Sequence, residues 1–353
     1  MSEEPIPRKD PHLSKMQRLN IAVLVLTVTT LFTYSILAYE GAGHYYTIVL
    51  IMKDLLSQRL SEEQSSLVAF CAQLPDIAEE LDAIEVYKSA ASNPIAWAAW
   101  GWNDKVLNRN IGQMIEVQQF LHGLTGGKSD EVRKVAEEIV KELSDKIPWK
   151  SGGIPSTGDT SSLCALGFAL HLYGDSFAHR QLDKPESMYP TGRGHFGDGV
   201  RPDRPLFSSF RTQDYLENYL VRASGYLGDF TLGPSVKANE MNNEVKKLQT
   251  GGEANGWNDY GEVLLRDLLI RQIDKNRTED FVPPLHEHKT SPCNRYIKKI
   301  FVEEKHFKHL KPPKCEVAWS RFRDKAKSLF ELDRHRDAFA PEWRNLQRND
   351  PQF

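Results

Sequence analysis

The sequence predicts an all-α protein, in which a single multi-helix domain follows one N-terminal transmembrane helix. Two patterns in the 353-residue chain lead to this prediction. After residue 40, apolar residues recur with helical spacing in most segments, and few segments alternate apolar and polar residues as a half-buried strand does. Before residue 40, one long segment is apolar throughout, which is typical of a helix that crosses a lipid bilayer.

The apolar segment covers residues 19–39 and contains no charged residue. As a helix it would be about 31 Å long, which matches the hydrocarbon core of a bilayer. Basic residues precede it and Glu40 follows it, so residues 1–18 are expected to form a cytoplasmic tail. The rest of the chain then lies outside the inner membrane, in the periplasm. The segment is longer than the apolar core of a signal peptide, which favours a retained anchor, and cleavage before Tyr39 is the alternative.

The remainder is divided into a helical domain at 40–277 and a C-terminal helical extension at 278–353 that packs on it. A helix is expected to begin near Gly43, and a capping signal at Ser61 begins another. Pro94 lies just inside the start of a further helix, where proline is favoured. The other predicted helices cover 110–122, 130–146, 159–181, 211–224, 236–249, 258–275 and 316–333, with loops at 147–158, 183–209 and 278–293.

The composition argues against strong binding to polyanions. Charged residues make up 26% of the chain and the net charge is −3. Proteins that bind nucleic acid usually show a basic excess or stripe, so no stable complex with nucleic acid is expected.

The four cysteines are too few for a disulfide-dense scaffold in a chain of this length. Cys71 and Cys164 lie in apolar helical segments and are predicted to be buried thiols. Cys293 and Cys315 flank a polar segment, where the sequence is compatible with a disulfide or with two free thiols.

The predicted helix at 159–181 carries ionisable residues at intervals of four. His171, Asp175 and His179 therefore fall within an arc of about 80° on one side of the helix. Leucine and aromatic residues surround them, which indicates that this helix is buried. Buried ionisable groups are unfavourable unless they are compensated, and a metal ion commonly compensates this set. A neutral hydrogen-bonded pair of His171 and Asp175 is the structural alternative, and it leaves His179 unexplained.

Further candidate ligands are spread along the chain: His44, Asp76, His122 and His195, with Asp198 and Asp203 downstream. Zinc binds imidazole nitrogen and carboxylate oxygen, and sites without cysteine are more often catalytic than structural. A carboxylate between histidines can also bridge two cations, which activate water and hold a phosphoryl group. Each residue has a structural alternative as well, since Asp76 could cap a helix and Asp203 could organise a turn.

The order of these motifs, between residues 39 and 205, resembles the zinc-dependent phospholipase C and S1/P1 nuclease superfamily. "HLYGD" matches the superfamily's histidine followed four residues later by an aspartate that bridges two zinc ions. "GH" at 43–44 follows Tyr39 at the interval at which the nucleases place it after an initial tryptophan. "GHYYTIVL", "AQLPD", "LHLYGDSFAH" and "GHFGDGVRPD" look more similar still to an uncharacterised bacterial branch of the superfamily.

The resemblance implies a helical fold of the phospholipase C/P1 nuclease type that holds two or three zinc ions. It implies the ligands His44, Asp76, His122, His171, Asp175, His179 and His195, with Asp198 or Asp203 as a late carboxylate. Asp76 and Asp175 would be the catalytic residues. The expected activity is that of a membrane-tethered zinc-dependent phosphodiesterase acting on phospholipid head groups by metal-activated water. A single-strand nuclease is the second enzymatic alternative.

A non-catalytic, zinc-stabilised binding module or effector-associated protein is the alternative from another functional class. His179 follows Asp175 by four residues, whereas the corresponding interval in the enzymes is six. Gly199 also stands four residues after His195, where the enzymes have a carboxylate. These altered spacings are compatible with a domain that has lost catalysis and binds a partner protein instead.

Overall fold

A computed structural model describes residues 44–45, 47–49, 60–91, 112–147, 159–192, 194, 202, 243 and 291–340 of the chain. The chain divides into two compact units, Met1–Ile36 and Leu37–Phe353, and all the described residues belong to the second. The regular structure of the described residues is helical, and only isolated β-bridges occur among them. To this extent the prediction of an all-α protein is confirmed.

The described helices are α1 (Glu62–Ile77), α2 (Ala83–Ala91), α3 (Ser129–Lys146), α4 (Thr160–Ala178), α5 (Cys293–Lys298) and α6 (Cys315–Phe330). A π-helical turn covers Val117–Leu121, another covers Lys299–Glu303, and a 3₁₀ helix covers Asp333–Ala338. The described residues of 44–49 are also helical. The predictions near 43, 61, 130–146, 159–181 and 316–333 therefore correspond to observed helices, whereas α2 and α5 were not among the predicted helices. The predicted helices near Pro94 and at 211–224, 236–249 and 258–275 lie outside the described residues.

None of the helices among the described residues combines the length and the apolar character needed to cross a bilayer. The predicted membrane segment at 19–39 lies outside those residues, so it stays a prediction.

Local capping fixes where the two central helices begin. The Ser61 side chain accepts a hydrogen bond from Gln64 N, and Gln64 Oε1 accepts one from Ser61 N, which completes a capping box at the start of α1. At the start of α4, the Asp159 carboxylate accepts from Ser162 N at 3.2 Å. Both caps satisfy backbone N–H groups that a helix start leaves without partners.

Helix α4 is the centre of the fold, since all but two of its residues are buried. It packs against α1, α3 and α6. The closest approach is at Gly167, where a Cβ atom would lie 2.6 Å from the Val68 carbonyl oxygen and 2.7 Å from the Cys71 Cβ. Only glycine permits the backbones of α1 and α4 to lie this close together.

Two disulfides join distant segments. Cys71 in α1 and Cys164 in α4 are bonded, with Cα atoms 5.0 Å apart, so the prediction of two buried thiols was wrong. That prediction treated each cysteine as an isolated apolar residue, although the packing of α1 on α4 brings them face to face. Cys293 and Cys315 are also bonded, with Cα atoms 6.2 Å apart, which decides between the two states left open by the sequence.

Candidate metal centre

A cluster of histidine and aspartate side chains lies at the packing interface between α1, α4 and the loop after the π-helical turn. Its described members are His44, Asp76, His122, His171, Asp175 and His179, and each is at most 4% exposed. They come from four separate segments of the chain. The convergence that the sequence predicted therefore exists for every candidate ligand that the structure describes.

Asp175 is at the middle of the cluster. Its Oδ1 lies 3.2 Å from His44 Nε2, and its Oδ2 lies 3.0 Å from both His122 Nδ1 and His171 Nε2. Asp76 approaches from α1, with Oδ1 at 3.7 Å from His171 Nε2 and Oδ2 at 3.9 Å from His44 Nε2. Two carboxylates thus face the same set of imidazole rings from opposite helices.

The backbone fixes which nitrogen of His122 and of His171 faces the cluster. His122 Nε2 donates to the Leu81 carbonyl oxygen at 2.9 Å, and His171 Nδ1 donates to the Ala72 carbonyl oxygen at 2.9 Å. Since a carbonyl can only accept, those nitrogens carry the protons of the neutral rings. The other nitrogens, His122 Nδ1 and His171 Nε2, then point their lone pairs at one another across 3.2 Å and at Asp175. Histidines that bind metals are typically oriented in this way by a second hydrogen bond.

His179 is close to the cluster but has a different role in its geometry. It caps the C-terminus of α4 rather than lying within the helix, and its Nδ1 donates to the His122 carbonyl oxygen at 2.6 Å. The same nitrogen is 3.5 Å from Asp175 Oδ2. His179 therefore fixes the backbone of the segment that carries His122.

Electrostatics keep the cluster in a form suited to a cation. Burial would raise the pKa of Asp175, but the surrounding histidines outweigh it and hold this pKa well below 3.8. Burial, together with the nearby His44 and His122, lowers the pKa of His171 to about 3 despite the attraction of Asp175. His171 is therefore neutral and Asp175 is ionised near pH 7.

The pKa of His122 is raised, whereas that of His171 is lowered. Burial opposes the charged form of His122, but the hydrogen bond and charge of Asp175 outweigh burial, so the pKa of His122 lies above 6.5. Asp82, next to Leu81, contributes to this shift, and burial raises the pKa of Asp82 itself to about 6. His122 Nδ1 is thus the position at which a proton and a metal ion would compete.

Three predicted ligands are outside the described residues: His195, Asp198 and Asp203. The chain before them is nevertheless held beside His122. Thr191 Oγ1 accepts from Gln119 Nε2 at 2.9 Å, and Gly192 N donates to Gln118 Oε1 at 2.6 Å. Both glutamines belong to the π-helical turn that ends just before His122. Such turns frequently occur at functional sites because they redirect a helix.

The residues that orient the candidate metal ligands were not predicted from the sequence. Asp76 lies within the last turn of α1, next to Pro75, so the alternative that it caps a helix is excluded, and Asp82 is the cap of α2. The supporting carbonyl groups of Ala72 and Leu81 leave no signal in a sequence, since every residue has one. Gly123, with φ of 62°, reverses the chain directly after His122, and glycine after a histidine was the one local hint.

Two overlapping groups of side chains could hold a metal ion. One consists of His44, His171 and Asp175, and the other of Asp76, His122 and His171. In each group the ligand atoms lie within 4.8 Å of one another. The donor set is nitrogen and carboxylate oxygen, which fits a divalent transition metal better than calcium or magnesium.

Comparisons with known proteins add no relative to this geometry. No family model, no curated protein and no solved structure matches the chain.

Proposed function

We propose that this protein is a zinc-dependent phosphodiesterase that is tethered to the cytoplasmic membrane. It acts on phospholipid head groups on the periplasmic side. The observation that carries the proposal is the orientation of His122 and His171. Each ring is anchored to a backbone carbonyl by one nitrogen and turns the other nitrogen toward Asp175. Two ring nitrogens directed at one carboxylate need a proton or a cation between them, and a metal ion could serve both rings at once.

The two groups share His171, whose one available nitrogen can bind only one ion, so a second cation would have to be held through Asp175. Asp175 presents Oδ1 toward His44 and Oδ2 toward His122 and His171, so it can bridge two ions. Bound zinc would supply activation of water near neutral pH and neutralisation of charge on a phosphoryl group. His44, Asp76, His122, His171 and Asp175 would hold the metals, and the predicted ligands His179 and His195 would complete the set.

Asp76 is the residue we assign to proton transfer. Its side chain is 2% exposed, as is that of His122, whereas the side chains of His44, His171 and Asp175 are 0% exposed. Its oxygens lie at 3.7 and 3.9 Å from imidazole nitrogens, longer than direct hydrogen bonds. A carboxylate at this position can orient an attacking water and accept its proton.

The substrate class rests on the resemblance to phospholipase C and on the predicted tether. A membrane anchor at 19–39 would keep the domain beside lipid, and the net charge of −3 disfavours a nucleic acid substrate. The phospholipase C/P1 nuclease type of fold is part of this proposal.

The direct test is Asp175→Asn. We expect it to lose bound zinc and hydrolysis of bis(p-nitrophenyl) phosphate and phosphatidylcholine vesicles, while circular dichroism shows unchanged helix content. Asp159→Asn at the start of the same helix is the matched control, because asparagine also caps helices, and it should keep metal and activity. Full hydrolysis by Asp175→Asn would refute the assignment, and preferential cleavage of single-stranded DNA by the wild-type protein would favour the nuclease alternative.

The second candidate function, a non-catalytic zinc-stabilised module that binds a protein partner, is favoured by the burial of the centre. All six described candidate ligands are at most 4% exposed, as in structural sites, which lack an open coordination position. Elemental analysis separates the two proposals. At most one tightly bound zinc, with no response of a cobalt-substituted protein to added phosphate, would support the module.

A further inference from the structure

Gln73 lies in α1 three residues before Asp76, about 60° away around the helix axis. Its side chain therefore extends along the same side of α1 as the Asp76 carboxylate. The preceding residue, Ala72, supplies the carbonyl oxygen that anchors His171. Gln73 thus directly follows the residue that orients one candidate ligand and precedes another candidate ligand by three positions.

The amide of Gln73 is buried without compensation. Its exposure is 0%, and within the part of the chain that the structure describes neither Nε2 nor Oε1 has a hydrogen-bond partner. The other buried glutamines among the described residues have at least one partner: Gln64 completes the capping box, Gln118 bonds to Ala83 O and Gly192 N, and Gln119 donates to Thr191, although its Oε1 has no partner. A buried, unsatisfied amide destabilises a fold, so a position of this kind calls for an explanation.

We infer that Gln73 is a substrate-contacting residue, whose Nε2 donates a hydrogen bond to a phosphoryl oxygen of the bound phosphodiester. This inference rests on the proposed function. The amide is a neutral donor one helical turn from Asp76, where a lysine or arginine would instead form an ion pair with the carboxylates and compete with a cation. A substrate oxyanion would provide the hydrogen-bond acceptor that Gln73 Nε2 lacks among the described residues. This contact would select phosphate esters over neutral carboxylic esters.

The test compares Gln73→Leu with Gln64→Leu, two substitutions of a buried glutamine in the same helix. Leucine at 73 removes an unsatisfied amide, so the melting temperature should stay the same or rise. Leucine at 64 removes the capping box, so the melting temperature should fall. Each protein is loaded with cobalt(II), whose visible spectrum reports the ligands, and is titrated with inorganic phosphate. We expect Gln73→Leu to bind phosphate about tenfold more weakly, the loss of one charge-assisted hydrogen bond, and Gln64→Leu to bind it as the wild type does.

The outcomes separate this inference from the function on which it rests. Gln73→Leu that binds cobalt and phosphate like the wild type would overturn the inference and leave the metal centre intact. A loss of cobalt from Gln73→Leu would make Gln73 a metal ligand and would also overturn the inference. Failure of the wild-type protein to bind any metal would overturn both proposals. Gln73→Met repeats the measurement with an unbranched side chain if the leucine variant does not fold.

Discussion

The two disulfides of this protein make an instructive comparison. Cys71–Cys164 joins α1 to α4 across 93 residues of chain, at the interface that carries Asp76, His171 and Asp175. Cys293–Cys315 joins α5 to α6 across 22 residues, in the C-terminal region. Both are buried covalent links between helices, but only the first connects two elements that contribute side chains to the candidate metal centre.

The first disulfide fixes the two helices that carry candidate ligands, whereas the second links helices of the C-terminal region. Cys71 lies five residues before Asp76, and Cys164 lies seven residues before His171, so the link is built into the same two helices as the ligands. Gly167 reinforces it by removing the side chain at the closest approach of α1 and α4. The C-terminal disulfide instead lies beside Glu80, whose carboxylate accepts from Cys293 N at 2.9 Å. We therefore expect its loss to affect stability but not the metal.

The largest effect should follow removal of the first disulfide. The loop-closure entropy predicts a loss of roughly 4 to 5 kcal/mol for Cys71→Ala with Cys164→Ala, and roughly 3 to 4 kcal/mol for Cys293→Ala with Cys315→Ala. Urea denaturation measures both values. Competition with a chromophoric chelator should show weaker zinc binding in the first double variant alone.

Equal zinc affinity in both double variants would remove the distinction between the two links. Reduction of the wild-type protein with a phosphine, which has no thiolates to bind zinc, provides a check without mutation: both disulfides open, and the zinc affinity of the centre should fall.

A smaller effect is expected from Gly167→Ala. The added Cβ would lie 2.6 Å from the Val68 carbonyl oxygen, so α1 and α4 must separate, and overpacking of this kind costs about 1–3 kcal/mol. Gly112→Ala is the control, because no atom lies within 4 Å of its Cβ position and alanine favours helix. Thermal melting and zinc affinity measure the result, and two variants of equal stability would show that the close approach is not needed.

The smallest effect is the change of zinc affinity with pH, which should depend on the metal centre and not on the C-terminal disulfide. Zinc must displace a proton from His122, whose pKa is raised above 6.5, whereas His171 is already neutral above its pKa of about 3. Zinc affinity should therefore rise about tenfold per pH unit from pH 5 up to the pKa of His122 and then level off. Loss of Cys293–Cys315 should leave this slope unchanged. A flat affinity between pH 5 and 6.5 would contradict the assignment of His122 as a ligand.

The helices α1, α3 and α4 could be predicted because the sequence signals for each lie within that one helix. The capping motif at Ser61, the amphipathic pattern at 130–146 and the apolar run at 159–181 each lie within one element. The short α2 was missed, since its nine residues make too few turns to show a clear helical repeat, and its cap, Asp82, follows a polar stretch. The bond between Cys71 and Cys164 was missed because it depends on how two helices pack.

The centre was predictable as a set of residue types but not as a geometry. Intervals of four residues placed His171 and Asp175 on one side of a helix, and the remaining histidines and aspartates were few enough to name. The sequence could not show that Ala72 and Leu81 orient the rings, or that His179 leaves the helix to hold the His122 backbone. It also gave no reason to notice Gln73, since a glutamine is conspicuous only when its burial is known.

The loop after His122 is held in part by residues far along the chain, which bears on when its hydrogen bonds can form during synthesis. Lys128 N donates to Asp337 O, and Ala340 N donates to Thr125 O, so the chain segment that follows the histidine is closed by residues synthesised more than 200 positions later. A nascent chain lacks these two bonds until Ala340 has emerged, although Gly126 N can already donate to Tyr189 O and Met188 N to Gly127 O. These two closing bonds are therefore expected to form late, after Ala340 has been synthesised.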